Sequence, residues 1–233
     1  MPEEERRYPP VMPVLHPVML WVIRLLVKLL TRYHVEGLEN VPAEGALIFA
    51  SNHLHHLDAP VVGVSVPREA HALAGERYER HFPFGPILKI AGSIFIRRGE
   101  VDRRALAQAM AVLADGKTLA IAVEGTRSKT GTLAEGKLGA AYIATRAGVP
   151  IVPVVVWGTE QIIPSWKRLR RAEVVVRFGR PFTLPAGRAR SQELAAYTAR
   201  IMAELAALLP ESYRGAYAGE VGPEGTPNTP ETG

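Results

Sequence analysis

Between residues 46 and 208 the chain alternates short, almost wholly apolar β-type runs with helical patterns, and few folds accommodate that order. ALIFAS (46–51), SIFIRR (93–98), TLAIAV (118–123), IVPVVVW (151–157) and AEVVVRF (172–178) read as strands. Helical patterns fall over 59–66, 101–114 and 137–147, and a last one covers 192–208. Strands with no polar alternation are buried on both faces, and strands spaced by helices run parallel. The pattern therefore predicts an α/β fold, a mostly parallel central sheet covered by helices on both faces. In such sheets ligands sit beyond the carboxyl ends of the strands, so the residues just after ALIFAS, SIFIRR and TLAIAV are the ones to inspect. At 233 residues one such domain is expected. The absence of cysteine excludes disulfides, thiolate zinc sites and a cysteine nucleophile.

Ahead of the alternation lies VMLWVIRLLVKLLTRY (18–33). Wound as a helix of 3.6 residues per turn, it places Arg24, Lys28 and Arg32 within about 80° of one another, with Trp21 beside them. Valine, leucine, isoleucine and methionine fill an opposite arc of about 200°, wider than the stripe of an ordinary surface helix. That geometry suits a helix lying in the headgroup region of a bilayer, its cations reaching phosphates; the competing reading is a soluble helix packed on the domain. No run of 18 uncharged apolar residues is present, and Met-Pro-Glu-Glu-Glu at the start lacks the basic region of a secretory signal. The net charge is +5, yet the last 23 residues are net −3, so the preceding 210 carry +8. So basic a body fits a phosphate-bearing partner. The expected organisation is an amphipathic segment over 1–33, an α/β domain over 34–210, and a disordered Gly/Pro/Thr-rich tail over 211–233.

Four blocks carry candidate chemistry. After the first strand come Asn52, His53, His55, His56 and Asp58. A carboxylate five residues beyond a histidine can accept one ring N–H, fix the tautomer and leave the other nitrogen free to take a proton. Asp58 could equally cap the next helix, and the three histidines with Asp58 could bind zinc, although they lack helical ligand spacing. Next, SIFIRR ends in Arg97 and Arg98, forks suited to phosphate. Glu124-Gly125-Thr126-Arg127 follows a wholly apolar strand: the glycine permits a tight turn, Arg127 offers a fork, and Glu124 can hold that arginine in place. Lys137 opens the helix expected over 137–147, and helix N-termini attract anions. The fourth block, Val149-Pro150-Ile151-Val152-Pro153-Val154, is a strand with two prolines.

Taken in order, these blocks resemble the glycerophospholipid acyltransferase family typified by bacterial 1-acylglycerol-3-phosphate acyltransferases. The family pattern is Asn-His-x4-Asp, Gly-x-x-Phe-Ile-x-Arg, Pro-Glu-Gly-Thr-Arg and Val-Pro-Ile-Val-Pro, and the likeness runs from about Gly45 to Val156. The resemblance implies that His53 is the general base on an acceptor hydroxyl, with Asp58 orienting it. It implies that Arg98, Glu124, Gly125, Thr126, Arg127 and Lys137 bind the glycerol phosphate. It also implies an acyl-CoA or acyl-carrier-protein donor, a lysophospholipid acceptor, an anionic membrane surface rather than nucleic acid as partner, no metal or other cofactor, and a place at the cytoplasmic face of the membrane. The chain departs from the pattern at His55, where the family often has Ser; at Arg97, where it often has Asp; and at Ala122-Val123, where it often has Phe-Pro. Glycerol-3-phosphate or another lyso-lipid remains an alternative acceptor, and a non-catalytic anionic-lipid binder is the alternative of another class. The segment Trp166-Lys167-Arg168-Leu169-Arg170-Arg171 is a second candidate for lipid contact, set against a reading as a solvated loop.

Overall fold

The apolar runs become the centre of one sheet. The computed structural model describes residues 7–97, 99 and 101–220. Its strands are β1 (Thr31–Glu36), β2 (Leu47–Ser51), β3 (Ala70–Gly75), β4 (Ile94–Ile96), β5 (Thr118–Ala122), β6 (Ile151–Trp157) and β7 (Ala172–Phe178). They pair in the order β1-β7-β6-β2-β5-β3-β4, and every pairing is parallel except β6 with β7. Leu47 and Phe49 of β2 point into one buried cluster, Ile48 and Ala50 into the other, and all four are essentially sealed from solvent. That two-sided burial is why these strands show no polar alternation.

The helices divide between the faces. α1 (Leu15–Leu30), α2 (Asp58–Ser65) and the short α6 (Ile162–Trp166) contribute Val27, Val61, Val64 and Ile162 to one cluster. α4 (Arg103–Ala114), α5 (Gly139–Ala147) and α7 (Ser191–Leu208) cover the other face with small residues, among them Ala105, Ala109, Ala141, Ala144 and Ala206, which let helix and sheet approach closely. One further helix, α3 (Phe84–Ile90), precedes β4. Asp102 starts α4 by accepting the amide of Ala105 at 3.0 Å.

Several expectations are corrected. The first helix ends at Leu30 rather than Tyr33, where Thr31 turns extended and its hydroxyl bonds Val27 O at 2.6 Å. Arg32 therefore lies on β1, in an exposed ion pair with Glu173, and does not join Lys28 on a helical stripe. Arg24 turns back to the protein and donates to Val64 O at 3.2 Å. The boundary expected after 33 falls inside β1, Thr31–Glu36. The helix near Lys137 begins two residues later, at Gly139. Residues 211–220, assigned from composition to the tail, form two 3-10 turns, Glu211–Tyr213 and Gly215–Glu220; the rest of that tail, 221–233, lies outside the described residues.

On α1, Leu20, Ile23 and Leu30 are half-buried and Val27 is buried, at a spacing that faces the sheet. Val18, Val22, Leu25, Leu26 and Leu29 face outward, with Trp21 65% exposed beside them. The helix is thus apolar on two faces. No helix among the described residues is long and apolar enough to cross a membrane.

Candidate functional site

β2, β5 and β6 are neighbours in parallel, so their carboxyl ends open on one edge. Past Ser51 the chain stays tied to both neighbours. Val123 N–H donates to Ser51 O at 2.9 Å, and the Asn52 amide pairs twice with the backbone of Val156, 2.9 Å in each direction. This pins the turn that carries His53. Asn52 is 2% exposed, and its two hydrogen bonds with the backbone of Val156 are the reason an amide tolerates that position.

His53 Nδ1 lies 3.2 Å from Asp58 Oδ2. The carboxylate can only accept, so Nδ1 carries the proton and Nε2 is left as the base. The His53 side chain is 19% exposed and that of Asp58 3%, a buried orienting group behind a reachable imidazole. Every Asp58 oxygen is engaged: Oδ2 also accepts the amide of His55 at 2.7 Å, and Oδ1 accepts the hydroxyl of Thr159 in a very short contact. Asp58 therefore binds an amide upstream of itself; α2 is capped by Leu57 with no side-chain bond, so the capping alternative does not hold.

Glu124 is 1% exposed, and its two oxygens go to backbone amides, Oε1 to His53 N at 2.7 Å and Oε2 to Ala134 N at 2.9 Å. Burial pushes its pKa up, and the two amides partly offset that. It grips the histidine turn, and among the described residues no ion pair joins it to Arg127, contrary to the role read from the sequence. The turn is held from the other side as well, since Ser128 N–H donates to His53 O at 2.8 Å. Gly125 has φ +68°, and a Cβ there would come within 3.3 Å of the Lys137 stem, whose own amide donates to Val123 O. Thr126, Arg127 and Lys137 are exposed at this edge.

The His55 and His56 rings lie against each other, centroids 3.8 Å apart and planes inclined by 43°, and Leu57 N–H points at His55 Nδ1 at 3.4 Å. Burial lowers both pKa values, with the nearby Arg127 charge acting the same way. Among the described residues no cluster of His, Asp or Glu is arranged to hold a metal.

Arg98 lies outside the described residues. Its neighbour Arg97 is exposed, with Nε 3.9 Å from Asp102. β4 stands at the far end of the sheet, three strands from β2, which is about 14 Å at the usual spacing of roughly 4.8 Å. The second block thus reaches the site only along the edge, whereas the first and third are in direct contact. Thr159 was missed by sequence reasoning, as was the pair behind it, in which Tyr213 OH donates to Glu160 Oε1 at 2.7 Å.

A family model described as Acyltransferase matches residues 32–157. The chloroplastic 1-acyl-sn-glycerol-3-phosphate acyltransferase LPAT1 of Arabidopsis thaliana is 30% identical over 58% of this chain and 38% of its own. The 1-acyl-sn-glycerol-3-phosphate acyltransferase of Borreliella burgdorferi is 28% identical over 54% of this chain and 51% of its own. The chain thus spans well under two thirds of the length of these relatives. The crystal structure of PlsC, the 1-acyl-sn-glycerophosphate acyltransferase of Thermotoga maritima, superposes with a TM-score of 0.62 at 26% identity, covering 80% of this chain and 76% of that one.

Proposed function

The chain belongs to the Acyltransferase family, and on that premise we propose that it moves a fatty acyl group from acyl-CoA or acyl-carrier protein to the free hydroxyl of 1-acylglycerol-3-phosphate, giving phosphatidate. The observation that carries this reading is the His53–Asp58 contact beside an exposed arginine on the adjoining loop. His53 Nε2 takes the hydroxyl proton as the oxygen attacks the thioester carbonyl. The tetrahedral intermediate collapses, the C–S bond breaks, and the proton passes to the departing thiolate. Asp58 keeps the imidazole in its tautomer and stabilises the imidazolium. Arg127, Thr126 and Lys137 at the same edge, with Gly125 forming the turn, bind the phosphate of the acceptor and orient its hydroxyl; Arg98 is assigned to the same phosphate by its place in the second sequence block alone. Orientation of this kind is worth up to several kcal/mol of barrier, about 7 at the low end of measured intramolecular cases.

The acceptor is an amphiphile, and the exposed apolar face of α1 supports a peripheral seat on an anionic membrane surface, at its cytoplasmic face. Trp21 and Lys28 are the sequence-identified residues still available for lipid there; Arg24 and Arg32 are occupied within the protein.

The test is release of free thiol from one acyl-CoA with a panel of acceptors: lysophosphatidate, glycerol-3-phosphate, lysophosphatidylcholine and an unphosphorylated lyso-lipid. Lysophosphatidate is expected to be the best. His53→Ala should lower turnover by about 10²–10⁴-fold with the thermal midpoint unchanged. Near-wild-type turnover in folded His53→Ala protein would remove the assignment. Arg127→Ala should chiefly raise KM for phosphorylated acceptors.

A further inference from the structure

The chain between β6 and β7 is built unlike any other connection at the functional edge. Because β7 runs antiparallel to β6, this connection returns at the carboxyl end of β6, the edge that carries His53. β1 runs parallel to β7, so α1, which leads into β1, ends at that same edge. The two are bolted together: the Arg171 guanidinium donates to the carbonyls of Lys28 and Thr31, taking up the free end of α1. Val27 of α1 and Ile162 share one buried cluster, so both lie on the same face of the sheet.

The tip itself is preformed and inverted in polarity. Arg168 and Arg170 N–H both donate to Ser165 O, and Leu169 N–H donates to Trp166 O, all at 2.9 Å. This tight turn holds Leu169 at φ +53°, a region that a branched side chain rarely adopts. Leu169 is 94% exposed, with Trp166 60% and Ile163 42% exposed beside it. Lys167, Arg168 and Arg170 are exposed between them, and no acidic residue occurs from Gln161 to Ala172. A strained backbone that projects leucine into water gains nothing for the folded chain alone.

We propose that residues 163–170 form a second lipid-contact element, which seats an anionic bilayer against the edge holding His53 and adds to whatever α1 supplies. Leu169 and Trp166 enter the acyl–headgroup boundary while Lys167, Arg168 and Arg170 meet lipid phosphates. A bilayer fits better than an acidic protein because exposed apolar and cationic groups interleave along one tip, the pattern of an interfacial lipid contact. The choice of partner rests on the lipid-acyltransferase reading; the measurement does not, since vesicle partition requires no turnover and thiol release requires no vesicle.

The experiment compares the full chain with two variants on vesicles of phosphatidylcholine alone and with added phosphatidylglycerol. Replacing Lys167, Arg168 and Arg170 together by Gln should weaken partition onto the anionic vesicles by about 10- to 100-fold, and change partition onto neutral ones by less than about twofold. The wild-type preference for anionic vesicles should fade in molar salt. Leu169→Gly suits the left-handed backbone, so it should weaken binding to both vesicle types by several-fold with the thermal midpoint unchanged or raised. Unaltered anionic-vesicle partition in the triple variant overturns the proposal. So does retention on a polynucleotide column that is lost while vesicle binding persists, and so does Leu169→Gly binding both vesicles as tightly as wild type.

Discussion

The functional edge has two corners built on opposite principles. Around His53, polar groups are taken out of water and matched to partners inside the protein: Asn52 to Val156, Glu124 to His53 and Ala134, Asp58 to His53, His55 and Thr159. Around α1 and the tip at 163–170, apolar groups are left in water with no internal partner, from Val18 and Leu29 to Leu169. A catalytic constellation must hold its geometry to a fraction of an ångström, so its polar atoms are satisfied within the chain. A surface meant for a bilayer has to leave its apolar atoms unsatisfied until the bilayer arrives. The same substitution type should therefore have opposite consequences in the two corners. Internal changes cost stability and rate, and external ones cost only association.

The hardest test of the internal corner is Glu124→Ala. It strips the acceptor from two buried amides, His53 N and Ala134 N, and should cost about 2–4 kcal/mol of stability by denaturant titration, with turnover falling even where the protein is folded. Glu124→Gln keeps one acceptor oxygen and discards the buried charge, so it should recover much of the lost stability. Burial raises the Glu124 pKa, so the folded state favours the protonated carboxyl. Its contribution is present below the usual carboxylate value and declines as pH rises through the raised one, which makes the Gln variant gain on wild type toward neutral pH. If Glu124→Ala is as stable as wild type, the contrast between the corners fails at its strongest point.

Thr159→Val is narrower. It removes the donor to Asp58 Oδ1 while preserving shape, and should lower kcat about tenfold with KM within about twofold. Thr159→Ser, which restores the hydroxyl, should restore kcat. A rise in KM alone would show that Thr159 serves binding and not the orientation of the dyad.

How much of each corner could be read in the sequence follows from chain distance. His53 and Asp58 are five residues apart on one turn, and Glu124 to Arg127 follow directly on β5, the neighbour of β2 in the sheet, so strand order plus residue type sufficed to bring the two blocks together. Thr159 is 101 residues from Asp58, and nothing local marks it; its role exists only because β6 lies against β2. Glu124 was given Arg127 as its partner because a Glu-x-x-Arg spacing reads as an ion pair, whereas the β2–β5 pairing brings the amide of His53 to it and the loop after β5 folds back to supply that of Ala134. β1 was misread for a different reason. Cations every four residues continue a helical pattern to Arg32, although Thr31, Tyr33 and Val35 alternate with Arg32, His34 and Glu36, a strand signal that the structure obeys. β3, AHALAG, carries little β-branched character and is held as a strand by its neighbours. The outward face of α1 was legible as excess apolar arc, yet which half of that arc faces the sheet needed the packing.

On the external corner the effects are smaller and of the other kind. Leu29 is 66% exposed on α1. Leu29→Ser should weaken vesicle partition by about fivefold, in line with burial of part of one leucine side chain, and leave the thermal midpoint within about 1 °C. A marked fall in the midpoint would mean that this face packs on protein in solution, and the two corners would then be alike.

The smallest effect is expected where the internal corner meets solvent. Tyr213, on the 3-10 turn after α7, donates to Glu160, next in chain to the Thr159 that holds Asp58; its own carbonyl accepts Leu133 N–H from the loop that carries Glu124. Burial, reinforced by the Glu160 carboxylate, pushes its phenol up to about 12. The folded state thus favours the neutral phenol, and the stability this supplies is complete below the ordinary value near 10 and lost as pH rises through about 12. Tyr213→Phe should cost less than about 1 kcal/mol at neutral pH, the net worth of one hydrogen bond. Its stability should also fall less than that of wild type between about pH 10 and 12 in denaturant titrations. Parallel alkaline profiles for the two proteins would place Tyr213 with the solvent-facing residues, and the matched polar network would end at Glu160.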